Sequence, residues 1–188
     1  PKVRSLTIER RYCGSHDGAN VDTCDLEFNE LKIFDVSQMS GLQGQFYYEG
    51  AYELDDDEAL ISEVRVPESY RYWSIILTND IYETTDWYNN QASLNDKQGI
   101  VDPDGVFRTV ISTRDPGVHN WLDTSGYRSG AIQGRWFEAS EKPMPTLRKV
   151  KTADILSHLP ESTRRVSPEQ RSEALRDRRL AAQMRIIW

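Results

Sequence analysis

Residues 70–79, Tyr-Arg-Tyr-Trp-Ser-Ile-Ile-Leu-Thr-Asn, are apolar or aromatic on both alternations, and this run constrains the fold more than any other. A strand with one wet face alternates, whereas a run that is apolar on both faces reads as a central strand covered on both sides. It demands neighbours and covering layers. The rest of the chain offers them in short pieces. Residues 45–54 set Phe46, Tyr48, Gly50, Tyr52 and Leu54 against Gln45, Tyr47, Glu49, Ala51 and Glu53, the period of two expected of a strand with one buried face. Asp55-Asp56-Asp57-Glu58 then turns the chain into 59–66, read as the hairpin partner of 45–54. Pro67 ends that run, because its ring fixes φ and it lacks the N–H a ladder needs. Further strands are expected over 3–10, 26–34, 106–114 and 130–139. At least seven short strands with turn signals between them predict a mainly β fold, an antiparallel sandwich or barrel. Residues 81–98 have no sustained period and are rich in Asn, Asp, Gln and Thr. They read as a long ordered excursion, of the kind that is usually functional or locally folded.

A chain of 188 residues suits one domain that can bury its core without disulfides or metals. Five Trp, nine Tyr and five Phe supply bulky core material. The organisation expected is one compact unit: N-terminal strands and a loop over 1–40, the sandwich core over 41–150 and a helical segment over 151–188. Thr152 is a candidate N-cap for a short helix to residue 159, closed by Pro160. Ser167-Pro168-Glu169-Gln170 combines an N-cap, Pro at the first helical position and a capping-box Gln, predicting a helix from 168 to about 185. The apolar positions Leu175, Leu180, Met184 and Ile187 make no clean stripe, so this helix is expected to dock on one side and stay charged on the others. Ile186-Ile187-Trp188 is expected to tuck against the sheet or a neighbouring chain.

Charge is unevenly placed. Residues 147–188 carry ten Lys/Arg and five Asp/Glu, whereas residues 1–146 carry 13 against 25. An acidic body is the wrong sign for a phosphate-binding face, which argues against nucleic acid. The tail arginines, Arg164, Arg165, Arg171, Arg176, Arg178, Arg179 and Arg185, are interrupted by Glu169, Glu173 and Asp177, the mix of a solvated helix face; contact with an anionic partner is the alternative. Cys13 and Cys24 could close a disulfide across an N-terminal turn, which would imply an oxidising, secreted or periplasmic setting, or remain two thiols. Neither a Cys-x-x-Cys pair nor clustered histidines is present, so no zinc site and no other cofactor is indicated. No apolar run approaches the roughly 18 residues of a membrane span.

The chemistry concentrates in Arg114-Asp115-Pro116-Gly117-Val118-His119-Asn120-Trp121-Leu122-Asp123-Thr124-Ser125-Gly126 and in Gln91-Ala92-Ser93-Leu94-Asn95. His119 is the candidate general base, with Asp115 or Asp123 to orient it; the bland reading is a hydrogen-bonded loop histidine with Asp115 and Asn120 capping turns. Ser93, Ser112 and Ser125 could serve as nucleophiles, but none lies in a Gly-x-Ser-x-Gly elbow. Arg108 and Arg114 fall on one alternation of 106–114 and could clamp a carboxylate, phosphate or sulfate, with Arg135 joining from the next strand. The alternative is that they pair with Glu63, Glu138 and similar carboxylates. Trp87 and Trp121, in polar loops, could stack on a flat ligand or pack inward; Trp73 and Trp136 read as core. Asp102-Pro103-Asp104-Gly105 and Asp55–Glu58 read as turns ahead of weak cation sites. His16 and His158 read as structural or solvated.

Tyr72-Trp73-Ser74-Ile75, Gln91-Ala92-Ser93-Leu94-Asn95, Asp102-Pro103-Asp104-Gly105, Arg114-Asp115-Pro116-Gly117 and Asn120-Trp121-Leu122-Asp123 with Gly126, in that order, resemble the domain of unknown function family 1214. The resemblance covers about residues 40–145. It implies a jelly-roll-like antiparallel β-sandwich, here followed by a C-terminal α-helix, and brings no assigned catalytic residues. Members often accompany the domain of unknown function family 1254, which these 188 residues do not contain, so a fragment or compact variant is the expectation. Three functions follow for testing. The first is binding of a small polar or amphipathic ligand through Gln91, Ser93, Asn95, Arg108, Arg114, Asn120, Trp121 and Arg135. The second is a metal-independent hydrolase or lyase using His119, Asp115 and Asp123. The third is a structural role, with a companion domain or a second copy as partner.

Overall fold

The chain crosses repeatedly between two packed sheets. The computed structural model describes residues 27–34 and 44–185. Within them the strands are β1 (Lys32–Phe34), β2 (Gln45–Glu53), β3 (Glu58–Arg65), β4 (Tyr72–Thr78), β5 (Ser93–Asn95), β6 (Val106–Ser112), β7 (Trp121–Asp123), β8 (Ser129–Phe137) and β9 (Thr146–Lys151). A 3-10 helix, Thr152–His158, and helix α1, Pro168–Gln183, complete the described elements. One sheet has the order β1-β2-β8-β4-β5 and the other β7-β6-β3-β9. All pairings are antiparallel except β6 with β7. Because β2, β3 and β4 alternate between sheets, the result is a β-sandwich with a C-terminal helix, the sandwich being one of the two forms the strand pattern predicts and jelly-roll-like as the family resemblance implies.

The inner faces interlock. Phe46, Tyr48 and Tyr52 of β2, Trp73, Ile75 and Leu77 of β4, and Ile132 and Trp136 of β8 meet Leu60 and Val64 of β3 and Phe107 and Ile111 of β6 in one core. Trp73 lies 4.5 Å from Phe107 and 5.9 Å from Trp136, centroid to centroid. On β8 the inward positions Gly130 and Gly134 stand opposite Tyr52 and Tyr48 of β2, so two tyrosine rings lie across two glycines. Cross-strand pairs of this kind fix which residue faces which.

A second cluster covers the outer face of the four-stranded sheet, where Ala59, Ile61 and Val110 meet Val118, Trp121, Val150, Ile155 and Leu159. Strand β3 is therefore buried on both faces. β4 also sits inside its sheet, but its outward residues Tyr72, Ser74 and Ile76 are only half-buried.

Several expectations change. Residues 45–54 and 59–66 are not a hairpin: β2 is paired by β1 and β8, and β3 by β6 and β9, so the Asp55–Glu58 turn carries the chain from one sheet to the other. Two of its carboxylates face β9, with Glu58 2.9 Å from Lys149 and Asp57 2.9 Å from Lys151, while Asp56 pairs with Arg128. The strand expected to reach residue 114 stops at Ser112, whose Oγ donates to the Arg114 carbonyl at 2.8 Å and folds the backbone away from the ladder. The segment after Pro145 is an edge strand, β9. Residues 152–158 wind as a 3-10 helix with Thr152 inside it and no side-chain cap at Lys151. The longer helix begins as expected, with Ser167 and Gln170 forming the reciprocal capping box and Pro168 in the first turn. No described helix is long and apolar enough to cross a membrane. Cys13, Cys24, His16, the strand expected over 3–10 and the tail 186–188 lie outside the described residues.

Candidate functional site

Register lays out the outer face of the five-stranded sheet in rows. Tyr47, Arg135, Ser74 and Asn95 stand side by side across β2, β8, β4 and β5, and Glu49, Gln133, Ile76 and Ser93 form the next row. Helix α1 reaches the β5 edge and the excursion before it through Arg178, which donates to the Trp87 carbonyl at 3.1 Å, Ser93 Oγ at 3.0 Å and the Ser93 carbonyl at 2.7 Å. Between sheet and helix lies a groove of about 520 Å³. Tyr47, Tyr72, Ser74, Ile76, Gln133 and Arg135 line it from the sheet, Trp87, Ser93, Asn95 and Gln98 from the excursion, and Arg178, Ala181, Ala182 and Arg185 from the helical end.

Three guanidinium groups point into this groove. Arg135 Nε donates to Ser74 Oγ at 3.3 Å, and its guanidinium lies 5.2 Å from the Tyr72 ring centroid. Arg185 stacks over Trp87 at 4.6 Å. Arg178 bonds only neutral oxygens among the described residues, and burial, with the Arg171 charge behind it, pulls its pKa below the ordinary arginine value. None of the three has a carboxylate partner among the described residues.

The helix is held by arginines rather than by apolar side chains. Arg171, Arg178 and Arg185 are spaced by seven, two helical turns, and so share one side. Arg171 is the helix's buried residue, at 6% exposure, whereas Leu180 and Met184 are 56% and 81% exposed. Its Nε donates to Asp115 Oδ2 at 2.8 Å, its Nη1 to Gln91 Oε1 at 2.8 Å and its Nη2 to the Val118 carbonyl, while the guanidinium lies 5.1 Å from the Trp121 ring centroid. Gln91 Nε2 in turn donates to the carbonyls of Trp121 at 2.6 Å and His119 at 3.0 Å. The two loops singled out from the sequence do adjoin, and at their junction they clasp the helix. The inward stripe of arginines also corrects the solvated-face reading at Arg171 and Arg178.

The other candidates separate accordingly. His119 Nε2 lies 2.9 Å from the Gln98 carbonyl, and its backbone N–H donates to the Arg164 carbonyl. Neither expected carboxylate orients it: Asp115 holds Arg171 and the Gly117 N–H, and Asp123 accepts from the Ser125 N–H at 2.8 Å. Asn120 braces the sandwich, accepting from Ile100 N–H at 2.9 Å and donating to the carbonyls of Ile100 and Arg108. Trp121 Nε1 donates to buried Ser112 Oγ at 3.0 Å.

Arg108 cannot clamp a ligand, because Glu63, Asp102 and Asp104 take its donors at 2.7, 2.8 and 2.7 Å; Asp102 and Asp104 thus belong to a turn locked by an arginine. Arg114 lies beyond β6, exposed and outside the groove lining, so it does not share a face with Arg108. Of the ligand-binding set, Ser93, Asn95 and Arg135 line the groove; Gln91, Arg108, Asn120 and Trp121 build the scaffold beside it. Tyr47, Tyr72, Arg178 and Arg185 were not legible as site residues. The seven-residue spacing of the arginines was their one signal.

Burial raises the pKa of the Asp123 carboxyl, against the Ser125 N–H bond that lowers it, with the Asp115 charge adding to the rise and Arg171 opposing it. A carboxyl whose folded pKa lies above its unfolded value binds the proton more tightly when folded, so its contribution to stability declines as pH rises through that interval. Asp123→Asn keeps the acceptor for Ser125 N–H. The variant is expected to be more stable than the wild type at pH 7, with the gain vanishing once pH falls below the unfolded carboxyl value of about 3.9, as read by urea titrations at pH 7 and about pH 3.

No protein-family model matches the chain, and no curated protein does. Among solved structures, an uncharacterised protein from Burkholderia cenocepacia is 30% identical, with a TM-score of 0.65 over 68% of this chain and 36% of its own. A Vibrio parahaemolyticus protein is 20% identical, with a TM-score of 0.46 over 57% of this chain and 31% of its own. The chain thus spans about a third of the length of each structure it matches. The resemblance to family 1214 continues to rest on the residues quoted for it.

Proposed function

We propose that this chain is a ligand-binding β-sandwich and that the groove between α1 and the five-stranded sheet takes a small polar or amphipathic molecule. The observation that carries this reading is the lining: aromatic and aliphatic walls from Tyr72, Trp87, Ile76 and Ala182, with polar groups of Ser74, Asn95, Gln133 and Arg135 converging between them. Small-molecule sites have this make-up, and a volume of about 520 Å³ lies within their usual span. The Gln91–Asn95 segment contributes to the site through Ser93 and Asn95. The 114–123 loop supports it from behind, by holding the helix that forms the opposite wall.

Thermal-shift screening with sugars, carboxylic acids and aromatic metabolites tests the proposal. At least one class is expected to raise the melting temperature of the wild type. Ala182→Trp, which places an indole in the groove from the helix side, is expected to cancel that shift while leaving the unliganded melting point close to wild type. No shift with any class at millimolar ligand, or a shift undiminished in Ala182→Trp, would remove the groove as the site.

A further inference from the structure

We infer that the groove selects a planar apolar molecule bearing a carboxylate, with the Arg135 guanidinium as its anchor. This rests on the ligand-binding reading above and adds the chemical class.

The arginines differ in what surrounds them. Arg108 is saturated by three carboxylates, and Arg171 by Asp115 together with Gln91 Oε1 and the Val118 carbonyl, so both belong to the scaffold. Arg178 uses its nitrogens on three protein oxygens. Arg185 sits over the Trp87 ring, 4.6 Å from its centroid, and adds to the aromatic wall. Arg135 differs from all of these. Its Nε donates to Ser74 Oγ and its guanidinium lies 5.2 Å from the Tyr72 ring centroid, with the phenols of Tyr47 and Tyr72 beside it. Glu49, one row away, accepts from Gln133 at 3.1 Å and from Tyr82 at 3.2 Å. A half-buried guanidinium whose neighbours are phenols, a hydroxyl and an aromatic face is poised for an anion, because a charge-assisted, two-point bond is stronger than the neutral contacts it replaces.

One such fork matches two oxygens in a plane, which is a carboxylate. The Tyr72 phenol and Ser74 Oγ can add donors of their own, whereas the Tyr47 hydroxyl already donates to Gln45 Oε1. The body of the ligand is set by the walls. Tyr72 and Trp87 give the groove aromatic walls and Ile76 with Ala182 aliphatic ones, a lining that suits a flat apolar skeleton between sheet and helix. The field favours the same class: Arg135, Arg178 and Arg185 concentrate positive charge at this groove in a chain whose formal net charge is −7.

The test uses the full chain and two probes of nearly equal shape, 2-naphthoate and its neutral amide 2-naphthamide, in titration calorimetry and thermal shift. The carboxylate is expected to bind about tenfold or more tighter than the amide. Arg135→Gln is expected to erase that preference, so that the carboxylate binds no more tightly than the amide. Arg135→Lys, which keeps the charge and removes the fork, is expected to retain only part of the preference, and it serves as the readout if the Gln variant does not fold. Equal binding of the two probes, or a preference surviving in Arg135→Gln or undiminished in Arg135→Lys, overturns the carboxylate assignment while groove binding stands. Failure of both probes to bind at millimolar concentration overturns the assignment together with the ligand-binding reading for this class of molecule.

Discussion

Arg171→Ala is expected to lower stability by about 3 kcal/mol and to release α1 from the sandwich. The guanidinium is buried, and its removal leaves Gln91 Oε1 and the Val118 carbonyl as interior acceptors without that donor. An interior polar atom that loses its partner costs about 1–3 kcal/mol. The Asp115 carboxylate, 31% exposed, regains water and so adds less. Loss of stacking over Trp121 contributes further. Beyond Arg178, which bonds Trp87 and Ser93, and Arg185 over Trp87, the helix has little else to hold it, since Leu180 and Met184 face solvent. Urea denaturation measures the loss. Limited proteolysis reads the release, with new cleavage expected beyond Ser167 under conditions where the wild type is protected. Arg171→Lys is expected to recover little, because one ammonium cannot span Asp115, Gln91 and Val118 together. Wild-type stability in Arg171→Ala would show that the arginine stripe does not dock the helix. The same variant bears on the groove, whose helix wall depends on this clasp.

Gly134→Ala is expected to cost a similar amount, about 3 kcal/mol, through the opposite mechanism of overpacking. A Cβ at this position would lie 2.0 Å from Tyr48 Cζ and 2.2 Å from its hydroxyl oxygen. Neither partner can withdraw. β8 is paired on both sides, by β2 and β4, and Tyr48 is buried within the inter-sheet core. Urea denaturation again supplies the number, and the pairing can be isolated by a double-mutant cycle. Tyr48→Ala removes the ring that the methyl would strike, so the two substitutions together are expected to cost clearly less than the sum of their separate effects. Additive losses would place the strain elsewhere.

The glycine and tyrosine positions show how far periodicity reaches. Phe46, Tyr48 and Tyr52 declare themselves on one face of 45–54, and they do face the core. What they oppose is not written in their own run, because the partner strand lies some eighty residues away, and Tyr48 meets Gly134 only once β2 and β8 are in register. The same limit explains the mistaken hairpin. Two strands joined by a short acidic turn are sequence neighbours, but burial of both faces of β3 is satisfied by placing it in the other sheet. β9 escaped notice because an edge strand that is mostly Lys, Arg and Thr carries almost no alternation.

The candidate site divides in a similar way. The polar loops announce themselves by composition, since Asp, Gly, Asn and Gln mark turns and buried bracing as readily as they mark chemistry. Gln91, Asp115 and Asn120 turn out to brace. Arg135 was legible as a possible anion contact, but Arg178 and Arg185 read as ordinary surface charge.

By itself, the sequence determines the class of fold, the turns and the start of the C-terminal helix, because these follow from local rules: alternation, backbone preferences of Pro and Gly, and the capping box at Ser167–Gln170. Only the tertiary structure decides which charges are scaffold and which face a groove. A guanidinium is the same group on Arg108, Arg171 and Arg135; its role depends on whether carboxylates from distant strands and loops reach it first, as they do for Arg108 and Arg171 but not, among the described residues, for Arg135.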